Sequence, residues 1–427
     1  MPKRSSRSAV IAFGCAAVCL LGACSSSDGS SNGAGASGAN GGSGANGGSG
    51  ATGGSTSGRG GSSAGVSGAT GISGADATAG GGGTSASGSG GSAQAGAGGA
   101  TGTVGPRFIG RFDTTKPAGP VFEWSGSAIA LRFKGSAIGV TLTDGQSDVF
   151  EVIVDDKQTV VPTTGGTTKY MLASGLTDGP HDVLLYRRTE AFEGDTTFGG
   201  FDVDPSAYLA GDAPPQHQLE VIGDSISAGY GDEGTFPCTF GPATENHYLT
   251  YGAIAARTVN ADLHTEAWSG IGMYRNNDGT MTGTMPERFG RTLPVKDTTD
   301  TWDFSKFVPE AVVINLGTND FNMGDPGMVF QTTYTAFVTR VRGYYPKARI
   351  YLAVGPMLSG AGYTGAKTYL NGVIAARAAA QDTNLALLEF GTQDQADGLG
   401  CDYHPSLKTH QKMADKLVAA LKADLGF

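Results

Sequence analysis

Leu219-Glu220-Val221-Ile222-Gly223-Asp224-Ser225-Ile226-Ser227 is the stretch whose reading decides the fold. A short strand-like run closes on a glycine, and a serine follows in the turn beyond it. Downstream, strand-like and helix-like segments alternate: a helix over 247–259, a buried strand over 311–316 and an amphipathic helix over 329–344. Strands over 349–354 and 385–390 and a last helix over 407–425 complete the pattern. Such alternation means a parallel sheet covered on both faces. The chemistry of such sheets sits on loops at the carboxyl ends of the strands, where Ser225 falls. The Asp212-Ala213-Pro214-Pro215 hinge sets this α/β domain at 216–427.

Upstream of the hinge the apolar period changes to two. Ile129, Leu131 and Phe133 alternate with Ala130 and Arg132; after an expected turn at Lys134-Gly135-Ser136, Ile138, Val140 and Leu142 alternate again. Further short strands over 149–154, 170–172, 183–186 and 198–203, with turn pairs at Asp144-Gly145 and Asp178-Gly179, point to a β-sandwich of jelly-roll type over 105–211. Its aromatics (Phe122, Trp124, Phe133, Phe150, Tyr186) read as core.

Of the chain's 71 glycines, about thirty lie between Ser25 and Val104, in a segment with hardly any charge or large apolar side chain. It cannot bury enough apolar surface to offset its conformational entropy, so a disordered tether over 25–104 is expected, with an r.m.s. reach of roughly 50 Å. Residues 1–24 read as an export signal: Lys3, Arg4 and Arg7 precede an uncharged apolar run too short to span a membrane. It ends in Leu21-Gly22-Ala23-Cys24, which resembles a bacterial lipobox, so a lipid on Cys24 is the expectation and a plain signal peptide the alternative. Ser25 after it favours the outer membrane or cell surface, with secretion as the alternative and a lipid anchor as the expected tie to a membrane. Cys15 and Cys19 leave with the signal, so Cys238 and Cys401 remain, a candidate disulfide or two buried thiols. Cleavage moves the net charge from −10 to about −13. An acidic chain without a basic stripe argues against nucleic acid as partner.

Gly223-Asp224-Ser225-Ile226-Ser227 lacks the second glycine of a lipase elbow, because Ser227 stands there, and alone it reads equally as a helix cap. A serine nucleophile needs a base. Of six histidines, His181, His217, His264 and His247 fall in the β-unit, the hinge, a polar strand and a helix start. His410 falls inside the last helix as a surface or packing residue, which leaves His404, in Cys401-Asp402-Tyr403-His404-Pro405. In an extended loop residues two apart share a side, so Asp402 is expected at Nδ1 of His404, with Nε2 toward Ser225. Asp397 is a remote alternative. Asn319, in Gly317-Thr318-Asn319-Asp320, and Gly270, in Ser269-Gly270-Ile271-Gly272, end neighbouring strands and are candidate oxyanion donors; Asn319 reads also as a cap. His404 and His410 lack the ligand spacing of a metal site.

Gly223-Asp224-Ser225, Gly270, Gly317-x-Asn319-Asp320 and His404 together resemble the four ordered blocks of the SGNH/GDSL hydrolases. Longer runs are similar to carbohydrate esterase family 2: Ile222–Ile226, Ala267-Trp268-Ser269-Gly270, the run from Val313 to Phe321, Cys401-Asp402-Tyr403-His404-Pro405-Ser406 and Thr409-His410-Gln411-Lys412-Met413. Trp124-Ser125-Gly126-Ser127 and Arg188-Thr189-Glu190-Ala191 extend the resemblance into the β-unit. The wider superfamily carries its Asp three residues before the His, where this chain has Cys401; Asp402, at minus two, is similar to the arrangement in family 2, where some members use a Ser–His dyad. The resemblance implies an N-terminal all-β jelly-roll sandwich followed by a three-layer α/β SGNH hydrolase with a flavodoxin-like parallel sheet. It further implies a monomeric esterase, without metal or cofactor, that removes acetyl groups from xylan or glucomannan with a preference for O6. Ser225 would be nucleophile, His404 base, Asp402 its orienting acid, and Ser225 N–H, Gly270 N–H and Asn319 the oxyanion hole. The competing expectations are an esterase for another acylated glycan or lipid, and a catalytically silent carbohydrate-binding protein.

Overall fold

The computed structural model describes residues 102–145 and 148–427. The expected signal at 1–24, the expected lipid on Cys24 and the expected tether up to residue 101 lie outside the described residues. Among the described residues no helix is long and apolar enough to cross a membrane.

The first domain is all β. Its strands are β1 (Arg107–Ile109), β2 (Val121–Phe122), β3 (Ala128–Asp144), β4 (Val149–Val154), β5 (Lys157–Pro162), β6 (Gly166–Arg187), β7 (Thr196–Phe201) and β8 (Tyr208–Leu209). They join in the order β2-β7-β3-β6-β4-β5, with β1 and β8 also on β3, and every pair is antiparallel. The expected turn at Lys134-Gly135-Ser136 is instead a bulge inside the single long strand β3, with register shifts between Gly135 and Ala137 and between Ile138 and Gly139. The sequence pattern carries the reason. Ile129, Leu131 and Phe133 are odd-numbered, whereas Ile138, Val140 and Leu142 are even, yet all six are buried in one core. An extra residue must intervene to keep both triplets on one face, and a bulge supplies it as well as a hairpin would. Asp178-Gly179, also expected to turn, lies within β6 opposite this bulge, where Gly179 pairs with Gly135.

The second domain carries β9 (His217–Gly223), β10 (Ala261–Ala267), β11 (Ala311–Asn315), β12 (Arg349–Val354) and β13 (Leu385–Glu389). Its helices are α1 (Ser225–Ala228), α2 (Tyr251–Thr258), α3 (Met285–Arg288), α4 (Thr318–Phe321), α5 (Met328–Tyr344), α6 (Gly360–Ala379) and α7 (Leu407–Leu425). The five strands are parallel, in the order β10-β9-β11-β12-β13. α5 and α6 bury Phe330, Phe337, Leu370 and Val373 against one face; α2 and α7 bury Tyr251, Ala255, Leu417 and Leu421 against the other. The helix expected over 247–259 is broken: a 3₁₀ turn at His247–Leu249 precedes α2, which Thr250 caps through Ala253 N. α6 was not expected, because its 20 residues are rich in Gly, Ala and Thr and only Ala366, Leu370 and Val373 are buried. Chain connections diverge between β9 and β11, so a crevice opens at their carboxyl ends. Ser225 follows the first of these strands and Asn319 the second.

The domains are joined by buried polar contacts. Arg111 pairs with Glu220 at 3.0 Å and Glu266 at 2.8 Å while its guanidinium lies 5.1 Å over the Phe289 ring. His264 Nε2 accepts from Gly110 N at 3.1 Å, and Tyr186 Oη is 2.6 Å from His247 Nδ1. These two histidines therefore have interdomain packing partners.

Candidate active site

The turn after β9 is tight because residue 223 is glycine. A Cβ at Gly223 would lie 2.1 Å from Ser227 Oγ, so only glycine fits. Ser227 itself faces inward, its hydroxyl 2.9 Å from Tyr251 Oη, which accounts for the missing second elbow glycine. Asp224 caps α1 by accepting from Ile226 N at 3.1 Å, and burial pushes its carboxyl up to about 7. Ser225 heads this one-turn helix and is 5% exposed.

His404 Nε2 lies 2.8 Å from Ser225 Oγ. Nδ1 faces two main-chain carbonyls, Asp402 O at 3.2 Å and Cys401 O at 3.3 Å. Two acceptors require the proton on Nδ1, which leaves the Nε2 lone pair to receive the serine O–H. Burial pushes the imidazole down to about 4, against the pull of those carbonyls. The neutral base is therefore the resting form near neutral pH.

The Asp402 carboxylate is not at Nδ1, contrary to the sequence expectation. It accepts from Tyr230 Oη at 2.9 Å and Phe240 N at 3.0 Å. The expectation assumed an extended loop, but Asp402 (φ 50°) and Tyr403 (φ 66°) are both left-handed. That turn swings the side chain away and presents the carbonyls instead. Asp397, the remote alternative, pairs with Lys408 and Lys412. Cys238 and Cys401 are disulfide-bonded, Asp402 N donates to Cys238 O at 3.0 Å, and Cys401 N donates to Gly231 O at 2.9 Å. His410 is buried behind the site, where its Nδ1 accepts from Tyr251 N at 3.2 Å.

On the other side of Ser225, Gly270 is left-handed (φ 76°), and a Cβ there would meet the Asn277 side chain at 3.2 Å. Among the described residues neither Ser225 N–H nor Gly270 N–H has a protein acceptor, so both are open to a ligand oxygen. Asn319 Nδ2 donates to Ile271 O at 2.7 Å and lies 3.5 Å from an Asp224 oxygen. One amide hydrogen thus holds the loop, and the other has only a contact at the limit of a hydrogen bond. Asp320, to which sequence reasoning gave no role, accepts from Met273 N, Tyr274 N and Arg275 N at 2.8, 2.7 and 3.0 Å.

A polar cavity of about 200 Å³ beside Gly270 is lined by Trp268, Ser269, Asn277, Asp278 and Arg288. A larger one, about 530 Å³, is lined by Arg107, Arg132, Asp155 and Asp212 and by none of the residues around Ser225. Among the described residues no group of three His, Cys, Asp or Glu is placed to hold a metal ion.

With this geometry in view, two family models match the chain: the carbohydrate esterase 2 N-terminal domain over residues 108–214, and the GDSL-like lipase/acylhydrolase family over residues 221–412. A solved structure of a family two carbohydrate esterase from Clostridium thermocellum, in complex with cellohexaose, is 41% identical with a TM-score of 0.72, over 75% of this chain and 99% of that one. The cellulase/esterase CelE of Acetivibrio thermocellus is 41% identical over 323 residues, 75% of this chain, which spans only 39% of that protein's length. An acetylxylan esterase/glucomannan deacetylase of Cellvibrio japonicus is 27% identical over 338 residues, 76% of this chain and 91% of its own.

Proposed function

This chain belongs to carbohydrate esterase family 2, and from that premise we propose that it removes O-acetyl groups from plant polysaccharide through an acetyl-enzyme on Ser225. The observation that carries the chemistry is the 2.8 Å contact between Ser225 Oγ and a His404 whose other nitrogen is held by main-chain carbonyls. Ser225 Oγ attacks the acetyl carbonyl carbon and its proton passes to Nε2. The carbonyls of Cys401 and Asp402 stabilise the imidazolium that forms, in the place of an orienting carboxylate. The oxyanion is received by Ser225 N–H and Gly270 N–H, and by Asn319 once its amide leaves the weak Asp224 contact. His404 then protonates the departing sugar oxygen, and water activated by the same base releases acetate.

Acetylated xylan or glucomannan is the substrate class we favour, because the Cellvibrio relative is named for both. Aromatic surface beside the site fits a sugar ring: Tyr403 is 60% exposed, adjoins His404 in the chain and lies 4.4 Å from the Phe236 ring. Attack at a primary O6 acetyl fits an open crevice of this kind. The bound cellohexaose of the Clostridium structure favours a second reading, in which the same cleft also holds unacetylated glucan. We also propose that the β-domain is a jelly roll, that the chain is monomeric, and that Cys24 anchors it through the 25–104 tether at a bacterial outer membrane or surface.

Acetate release from acetylated xylan and glucomannan tests the reading. The wild type should release acetate, and Ser225→Ala should lose at least about 10⁴-fold in rate while still binding the polysaccharide. A wild type that binds glucan and releases no acetate from any acetylated sugar would leave only the binding reading.

A further inference from the structure

The oxyanion loop is held from the β-domain as well as from its own. Glu190 follows β6 in the first domain, is fully buried, and reaches across to Ser269, the residue before Gly270. Its Oε2 accepts from Ser269 N at 2.5 Å and its Oε1 accepts from Ser269 Oγ. One carboxylate thereby fixes both the backbone and the side chain of the residue whose carbonyl carbon bears the Gly270 N–H. Asp320 grips the far end of the same loop through three amides, and Asn319 grips its middle at Ile271 O. Of these three side chains only Glu190 holds the residue before Gly270, and only Glu190 reaches in from the other domain.

We propose that Glu190 is a positioning residue for catalysis: it sets the direction of the Gly270 N–H through Ser269, so that the β-domain completes the oxyanion hole. This rests on the esterase reading above.

A buried carboxylate is costly unless its lone pairs are used, and here both oxygens have a Ser269 donor. Glu245 stands beside it, and Glu245 Oε2 accepts from Glu190 N at 3.1 Å. Burial and the neighbouring Glu190 charge push Glu245 well above its ordinary range, so Glu245 keeps its proton. Burial raises Glu190 as well, and the two Ser269 donors pull it back down. Both oxygens are turned to Ser269, so Glu190 acts through that residue. Its backbone is fixed in turn: Arg187 donates to Glu190 O at 2.9 Å, and Arg188 pairs with Glu233 and donates to Glu245 O at 3.2 Å. Phe192, two residues on, packs 6.2 Å from the Trp268 ring. Glu190 is thus held on its own side while its carboxylate meets Ser269.

The test uses the full chain with p-nitrophenyl acetate, comparing wild type, Glu190→Ala, Glu190→Gln and Ser269→Ala. An oxyanion donor out of place costs about 10²-fold, so Glu190→Ala should lower kcat/KM by that factor, mainly in kcat. Glu190→Gln can accept only one of the two Ser269 donors, and Ser269→Ala keeps only the amide; each should lose about tenfold. Affinity for a boronic acid, which forms a tetrahedral adduct on Ser225, should weaken in proportion to kcat/KM across the series, while affinity for cellohexaose stays within about twofold. A merely structural contact would not produce that proportionality. If Glu190→Ala fails to fold, Ser269→Ala decides, because Ser269 is partly exposed. Folded variants with kcat/KM within about twofold of wild type, or with losses not mirrored in boronate affinity, would overturn the proposal alone. A wild type without esterase activity would overturn it together with the reading beneath it.

Discussion

The loop carrying His404 and the loop carrying Gly270 both border the turn that carries Ser225, yet different forces fix them. The His404 loop is tied by a disulfide, by main-chain bonds to Gly231 and Cys238, and by carbonyls that orient the imidazole. The Asp402 carboxylate also anchors this loop, to Tyr230 and Phe240, but no ionised side chain orients the imidazole. The Gly270 loop has main-chain bonds too, Trp268 N to Gly223 O and Asn277 N to Gly270 O, but its side-chain ties include two carboxylates, Glu190 and Asp320, both raised above their ordinary range by burial. A backbone tie survives side-chain substitution and changes of pH, whereas a carboxylate tie survives neither. The two halves of one active site should therefore fail under different conditions.

The largest effect should come from removing a carboxylate tie. Asp320→Ala strands three amide donors, on Met273, Tyr274 and Arg275. Met273 N is buried and the other two are part-buried; an unsatisfied buried donor costs about 1–3 kcal/mol, so unfolding stability should fall by about 2 kcal/mol or more. With the loop released, kcat/KM should fall by about 10²-fold. Denaturant unfolding and steady-state kinetics on the same preparation check both. An Asp320→Ala enzyme with wild-type kcat would show that the loop holds itself and would dissolve the contrast.

A pH profile sharpens the contrast without mutation. On one side, His404 must be neutral to accept the serine proton, and its pKa lies at about 4. Activity should then fall tenfold per pH unit only below about 4. On the other side, burial raises Glu190 above its ordinary range, against the pull of the Ser269 donors. Falling pH therefore protonates Glu190 before His404, and it can then no longer accept from both donors. The expected profile of log kcat/KM has a shallow step of a few-fold above the full acid limb near 4. Glu190→Gln should lose the upper step and keep the lower. A single limb at about 6.5 in wild type would show an unperturbed histidine and no role for Glu190.

The same contrast explains what could be read in the sequence. Strands and helices with strong apolar periodicity were legible: the expected segments 349–354 and 407–425 coincide with β12 and α7. Ser225, Gly270 and Asn319 were legible because each follows a strand's carboxyl end, where a parallel sheet must place its chemistry, whereas His404 was reached by elimination among six histidines. The bulge in β3 was half legible, as a change of phase from odd to even apolar positions that fits either a turn or a bulge. α6 was not, since a helix of small and polar residues carries little periodicity. The cross-domain role of Glu190 had no local signal at all. Its run carries a family resemblance, but nothing within the β-unit says that Ser269, 79 residues away, is its partner. Long-range carboxylate ties are invisible to local pattern, whereas local backbone turns mislead it in a different way.

Asp402 is the case that separates the two kinds of tie most cleanly, and its expected effect is the smallest. Spacing alone placed its carboxylate on His404, where removal of an orienting aspartate would cost about 10⁴-fold. The structure puts that carboxylate on Tyr230 and Phe240 and leaves the orienting to carbonyls, which no substitution deletes. Asp402→Asn should keep the left-handed turn, because asparagine tolerates that conformation about as well as aspartate. Its kcat should stay within about threefold of wild type. Asp402→Ala gives up both the turn preference and the Tyr230 anchor, so it should lose about 1–2 kcal/mol of stability and less than about tenfold in kcat. Steady-state kinetics on the two variants distinguish the possibilities directly. A loss near 10⁴-fold in Asp402→Asn would mean that the carboxylate swings onto Nδ1 when substrate binds. The orientation of His404 would then depend on a charge as the Gly270 loop does, and the contrast between them would disappear.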